Sequence, residues 1–337
     1  MKAVLSINTT VLWVALAIAL IAIICLLGYV AYCKIANRIF HKVFDRPAPM
    51  PKVDRSPRDI PQNTPSGRAR NRFYTNRREY LNIMMRSYDG TRLAAYYRPS
   101  SDPTCQNTVI LLHGYNEHPS EMAPYAQMFM RNIQCNILIP HARAHCMSYG
   151  KYTTYGIYET EDLNCWIRFA VKRGGPNTRV YIMGRSMGAT TALICAAQQG
   201  FSPNVVGLVA DCPFDTLENV LVHIGRKRYN MDLSRMYKKI NNLVRTELEF
   251  DMSLCDAAIN ASLIKVPVLL YEGTEDNVAV PDGVRNIYNN LVTQKRMVMI
   301  NDAGHCGSYD KDPEDYEKEL RKFIETCVMR LVKMGIM

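Results

Sequence analysis

The chain has 337 residues, 48% apolar and 21% charged, a composition that suits a globular core and excludes a disordered chain. That length admits one large α/β domain of roughly 250 residues with extras, or two to three average domains. The net charge of +10 would suit a nucleic-acid or membrane surface, but 12 Lys/Arg against 4 Asp/Glu between Lys34 and Tyr80 account for eight of the ten excess charges, so no nucleic-acid partner is expected for the rest of the chain.

A short tail, 1–10, leads into Val11–Cys33, 23 residues without a charge. As a helix this run rises about 34 Å, enough to cross a bilayer. It is longer than a secretory apolar stretch and no small-x-small cleavage pattern follows, so an uncleaved single-pass signal anchor is expected. Lys34, Arg38, Lys42, Arg46 and Lys52 come next, against Lys2 on the other side. The positive-inside rule then puts the C-terminal side, with the bulk of the chain, in the cytoplasm. The stretch 34–58 could also hold anionic lipid headgroups. Arg46–Gly67 is Pro-rich and aperiodic, and 34–78 reads as a basic juxtamembrane linker.

The folded domain is expected over 79–337. Tyr80–Arg86 and Arg92–Arg98 read as strands joined across Asp89 and Gly90. Strand Val109–His113 then precedes helix Ser120–Arg131, and Cys135–Pro140 precedes Glu159–Arg173. Arg179–Met183 precedes Met187–Gln199, and Val205–Asp211 precedes a mostly helical stretch, 214–262. Val266–Tyr271 precedes Pro281–Val292, and Arg296–Ile300 precedes Pro313–Met334. Apolar runs alternating with helical segments predict an α/β fold with a mostly parallel, doubly covered sheet. In such sheets ligands bind at the carboxyl ends of the strands.

Reactive side chains collect at those ends. Gly184, Ser186 and Gly188 form G-x-S-x-G after the fifth strand, where glycines let strand and helix approach closely around a strained nucleophile. The following helix aims its positive end at the hydroxyl. Asp276 follows the seventh strand and His305 the eighth. In this order His305 would take the proton of Ser186, and Asp276 would orient the imidazole. The backbone N–H groups of Tyr115 and Met187 are the candidate oxyanion donors, with His113 and Gly114 supporting the loop.

These segments, ILLHGYNEH, IMGRSMGATT, ADCPF, VPVLLYEGTEDNVAVP and NDAGHCGSY, resemble the α/β-hydrolase family over about 80–330. They look closest to membrane-anchored bacterial serine hydrolases related to the serine aminopeptidase and lysophospholipase-like branches. The resemblance implies an eight-stranded sheet with helices on both faces and a cap inserted over 214–262. It further implies hydrolysis of a carboxylic ester or amide through an acyl-enzyme, with no metal or organic cofactor. Two departures stand out. The family's Asp-x-Arg loop has His141 in place of the Asp and Cys146 in place of a Gly, and the Gly-x-x-Asp-x-x-Val-Pro motif is one residue longer here.

Several residues have rival readings. Asp211 ends a strand and competes with Asp276 as the acid, and so does Glu275. Asp276 fits the Gly-x-x-Asp pattern best. His141 and His145 lie in a loop without a third ligand, so structural hydrogen bonding is favoured over a metal. His118 is expected at the surface or a pocket rim. Arg185 either meets a substrate carboxylate or bridges to the scaffold. In the cap, Met231, Leu233, Met236, Tyr237 and Ile240 are spaced for an apolar underside. The eleven cysteines show neither C-x-x-C nor zinc spacing, and free thiols are expected. The rival functions are an aminopeptidase-like serine peptidase and a non-catalytic membrane-tethered scaffold.

Overall fold

The computed structural model describes residues 9–46 and 62–336. In chain order the elements are α1 (Thr9–Phe44), α2 (Pro65–Thr75), β1 (Leu81–Arg86), β2 (Arg92–Arg98), β3 (Asn107–Leu112), α3 (Ala123–Asn132), β4 (Asn136–Pro140), α4 (Ile157–Gly174), β5 (Arg179–Arg185), α5 (Met187–Ala196), β6 (Val205–Asp211), α6 (Leu217–Tyr229), α7 (Ser234–Glu247), α8 (Ala257–Asn260), β7 (Val268–Gly273), α9 (Pro281–Asn290), β8 (Lys295–Ile300), α10 (Ser308–Lys311) and α11 (Pro313–Lys333). The described residues divide into two compact units, one of 9–43 with Ser234–Asp251, the other of 44–46 and 62–233 with 252–336.

In the first unit α1 is long and apolar enough to cross a membrane, and its most apolar window is wholly exposed. The helix does not stop at Cys33. Past that point Ala36 and Phe40, four residues apart, are buried, so an amphipathic face carries the helix on through the basic residues. The same unit holds α7, which buries Met236, Ile240 and Val244 and exposes Arg235, Lys238 and Arg245. The Tyr32 hydroxyl donates to the Arg235 carbonyl at 3.1 Å, and the Lys239 ammonium stands 5.9 Å over the Tyr29 ring. Helix α6 belongs to the second unit, so the expected cap stretch is divided between the two.

The second unit is built on an eight-stranded sheet in the order β1-β2-β4-β3-β5-β6-β7-β8. β1 pairs antiparallel with β2 and β2 antiparallel with β4, and the five remaining pairs are parallel. β6 and β7 are buried at every position, as central strands covered on both faces must be. Strand residues two apart share a face. Val109, Leu111, Ile137, Ile139, Tyr181 and Met183 meet the buried faces of α2, α3 and α11 on one side. Helices α4, α5 and α9 pack on the other side, and α5 is buried on every face.

Helix α2 lies where the linker was expected. Thr64 caps it by accepting the Gly67 N–H at 3.0 Å, and Pro65 occupies its first turn. Phe73 is only 2% exposed and packs at a tilt against Tyr80 and Tyr96, with ring centroids 4.7 and 5.6 Å away. That burial contributes roughly 2 kcal/mol and fixes the second half of the segment to the sheet. The middle of the expected linker, 47–61, lies outside the described residues.

Candidate active site

The carboxyl ends of β3, β5, β6, β7 and β8 meet at one edge of the sheet. β5 ends at Arg185, and the chain reverses through Ser186 at φ 52°, ψ −118° into α5. That is a left-handed strained turn for a residue with a side chain. The close approach it needs explains both flanking glycines. A Cβ on Gly184 would lie 2.3 Å from Gly188 backbone, and one on Gly188 would lie 2.3 Å from the Leu112 carbonyl. The Ser186 N–H donates to the Asp211 carbonyl at 2.8 Å, tying the turn to β6.

The structure brings Ser186, Asp276 and His305 together. His305 Nε2 is 2.9 Å from Ser186 Oγ, and Nδ1 is 2.7 Å from Asp276 Oδ2. In the neutral ring, facing a carboxylate, Nδ1 carries the proton, which leaves Nε2 free to accept from the serine. Asp276 Oδ1 accepts the N–H groups of Val278 at 2.7 Å and Ala279 at 3.0 Å. The Asp276 side chain is fully buried, and the His305 side chain is 20% exposed.

The rival acids fall elsewhere. Asp211 is buried, and its Oδ2 accepts the hydroxyls of Tyr125 and Tyr316 at 2.8 and 2.9 Å. Burial pushes its carboxyl up to about 6. Glu275 is exposed. Glu272, which the sequence reading overlooked, is completely buried at the end of β7. Burial first, and then the nearby Asp276 charge, push it up to about 10, so it stays protonated.

Tyr115 and Met187 each offer a backbone N–H that no protein acceptor takes among the described residues. Met187 is the first residue of α5, where the helix dipole adds to the N–H. The loop that carries Tyr115 is braced from several sides. Glu117 Oε2 accepts the Gly114 N–H at 2.8 Å, and Arg185 holds Glu117 Oε1 at 3.3 Å and Glu121 at 3.5 Å. Arg185 therefore bridges to the scaffold. Glu117 was not singled out from sequence. Burial pushes its carboxyl up to about 7, with Arg185 pulling it back.

His113, His141 and His145 are buried and serve as hydrogen-bonding posts. His113 Nδ1 meets the Gly114 carbonyl at 2.8 Å, and its Nε2 accepts the Ala142 N–H at 3.0 Å. His145 Nε2 accepts the Asn116 N–H at 2.9 Å, and His141 Nδ1 accepts that of Met147 at 3.3 Å. Desolvation holds His113 down at about 3 and lowers the other two, which keeps all three neutral. The half-buried His118 caps a turn through the Ser120 N–H at 3.1 Å. Arg143, on the loop with the altered motif, forms a buried pair with Asp162 at 2.7 Å.

Next to His305 stands Cys306. Burial alone would raise its thiol, but the Cys212 S–H, Arg185 and His305 outweigh that and hold it well below the usual range. In return, burial lowers His305 while the Cys306 and Asp276 charges raise it above the ordinary imidazole range, and the charges win. Cys212, His305 and Cys306 present ligand atoms within 4.8 Å of one another. Both ring nitrogens of His305 are already engaged, so the trio does not read as a metal centre.

The acetyl xylan esterase family profile matches residues 174–319, a span that contains Ser186, Asp276 and His305. The chain is 26% identical over 225 residues to the uncharacterized protein YqkD of Bacillus subtilis, covering 65% of this chain and 71% of that protein. It is 24% identical over 235 residues to a thermostable monoacylglycerol lipase of a Bacillus species, covering 64% and 89%. An esterase of Pyrococcus furiosus shares the fold with a TM-score of 0.58 at 25% identity, over 74% of this chain and 91% of that one. The chain has the α/β-hydrolase fold. It is similar to esterase-type proteins of that fold, and the profile match begins only at Gly174, so the loop that carries Tyr115 stands outside it.

Proposed function

We propose that the protein is a membrane-anchored serine hydrolase that cleaves carboxylic esters through an acyl-enzyme. The observation that carries this reading is the single line of contacts from Ser186 Oγ through His305, 2.9 Å to Nε2 and 2.7 Å from Nδ1 to Asp276. Ester substrates are supported by the similarity to proteins named as an acetyl xylan esterase, a monoacylglycerol lipase and an esterase.

The steps follow from the geometry. Ser186 gives its proton to His305 Nε2 as Oγ attacks the ester carbonyl. Asp276 holds the Nδ1 proton and stabilises the imidazolium that forms. The carbonyl oxygen gains negative charge between the N–H groups of Tyr115 and Met187, where each donor is worth about 3 kcal/mol. The leaving alcohol takes the proton from His305. Water then attacks the acyl group by the same route, with His305 as base. Helix α1 keeps this chemistry at a membrane, and the basic residues after it favour a cytoplasmic site and contact with anionic lipid.

Hydrolysis of p-nitrophenyl esters from acetyl to dodecanoyl, by wild type and Ser186→Ala, tests the reading. Turnover with a chain-length optimum, lost in the variant, is expected. Equal rates for the two proteins would refute it.

A further inference from the structure

Cys306 follows His305 directly, and Cys212 follows β6. Their Sγ atoms are 3.1 Å apart, within S–H···S contact, and a disulfide at about 2.05 Å lies only about 1 Å further in. Both residues sit at positive φ, 46° and 60°, in tight turns at strand ends. The turns are pinned, Cys212 by its N–H to the Tyr271 carbonyl at 2.9 Å and the Cys306 turn by Gly307 N–H to the Gly304 carbonyl at 2.9 Å. Cys212 is only 1% exposed, whereas Cys306 is half-buried beside the candidate site. An oxidant therefore meets Cys306 first, and Cys212 waits behind it as the resolving thiol.

We propose that Cys212 and Cys306 are an oxidisable pair, which a peroxide converts to a disulfide that disables the site. The pairing stands on the sulfur geometry alone, and only the disabling effect rests on the serine-hydrolase reading. In the first step the Cys306 sulfur attacks one peroxide oxygen. The O–O bond breaks, Cys306 becomes a sulfenic acid, and the other oxygen leaves as water once protonated. In the second step Cys212 attacks the Cys306 sulfur. The S–S bond forms, the S–O bond breaks, and hydroxide leaves as water with the Cys212 proton. Two electrons pass from the thiols to peroxide, and two waters result.

Closing the bond removes about 1 Å between the two sulfurs, and because both turns are pinned the strain falls in part on His305, the chain neighbour of Cys306. The Ser186–His305 contact of 2.9 Å does not tolerate a shift of that size, because a displacement of about 1 Å can cost on the order of 10²-fold in rate.

The test uses the full chain in detergent. After peroxide and alkylation, wild type should yield a cross-linked Cys212–Cys306 peptide by mass spectrometry. Labelling by a fluorophosphonate should fall at least about tenfold, and dithiothreitol should reverse both changes. Cys306→Ser should label at the same rate with or without peroxide. Cys212→Ser should form no cross-link, and its Cys306 should carry over to sulfinic acid, which dithiothreitol does not restore, because an unpartnered sulfenic acid proceeds to it. Wild type that oxidises at Cys306 without a cross-link overturns the proposal, and that measurement needs no variant to fold. A cross-link with undiminished labelling overturns the disabling effect. Absence of labelling before any peroxide would instead count against the serine-hydrolase reading, while leaving the cross-link measurement valid.

Discussion

Asp276→Asn tests the proposed division of roles most finely, because the structure dictates which way the new amide must point. Asp276 Oδ1 accepts two backbone N–H groups, Val278 at 2.7 Å and Ala279 at 3.0 Å. Only the oxygen of an asparagine can replace it there, since the NH₂ group would leave both donors buried and unmet. The NH₂ group then faces His305 Nδ1, where the carboxylate oxygen had been at 2.7 Å. Nδ1 becomes an acceptor and the ring proton moves to Nε2, toward Ser186 Oγ. The serine loses its base without any change in shape. A wrong tautomer in a Ser-His-Asp triad costs roughly 10⁴-fold in kcat, or about 5.5 kcal/mol of barrier. The assay is kcat/KM on an activated ester, with a thermal melt to show that the fold is kept. A variant within tenfold of wild type would refute the role given to Asp276. So would an equal loss in Asp211→Asn, since Asp211 is turned toward Tyr125 and Tyr316.

Three further outcomes are expected. Gly188→Ala drives a Cβ to 2.3 Å from the Leu112 carbonyl, so β3 and α5 must part at a cost of about 3 kcal/mol, and an unchanged melting temperature would contradict the packing account. Glu272 is protonated when folded, its value raised from 4.5 to about 10, but ionised when unfolded above about pH 5. The unfolded chain then binds fewer protons, so stability falls as pH rises through that window. Glu272→Gln imitates the neutral acid and should melt with a smaller drop from pH 6 to pH 9 than wild type; parallel slopes would count against this. Because the proposed base must be neutral, kcat/KM should rise with pH through the His305 titration, above the ordinary imidazole range. Cys306→Ser removes a neighbouring negative charge and should move that limb to lower pH, whereas a limb that stays in place would show that the thiol does not hold the imidazole up.

Much of the sheet was legible because each strand is a short apolar run bounded by turns. The run predicted at Val205–Asp211 is β6 itself. The extent of α1 was less legible, because Lys34 ends the uncharged run while the spacing of Ala36 and Phe40 continues the helix. The signals for α2 were present, Thr64 as a cap and Pro65 after it, but the surrounding proline-rich composition masked them. The Gly-x-x-Asp pattern favoured Asp276 over Asp211, but both end strands, and only the tertiary packing shows which one faces His305. Glu117 and Glu272 owe their roles to burial, which a single glutamate in a sequence does not announce. Cys212 and Cys306 are 94 residues apart, and no local pattern links them.

Labelling with a fluorophosphonate tests the central claim most directly. The full chain should take up one probe on Ser186, located by mass spectrometry of the peptide that contains it. Ser186→Ala of equal thermal stability should take up none. Equal labelling of the two proteins, or a well-folded wild type that never reacts, would contradict the assignment of Ser186 as the nucleophile.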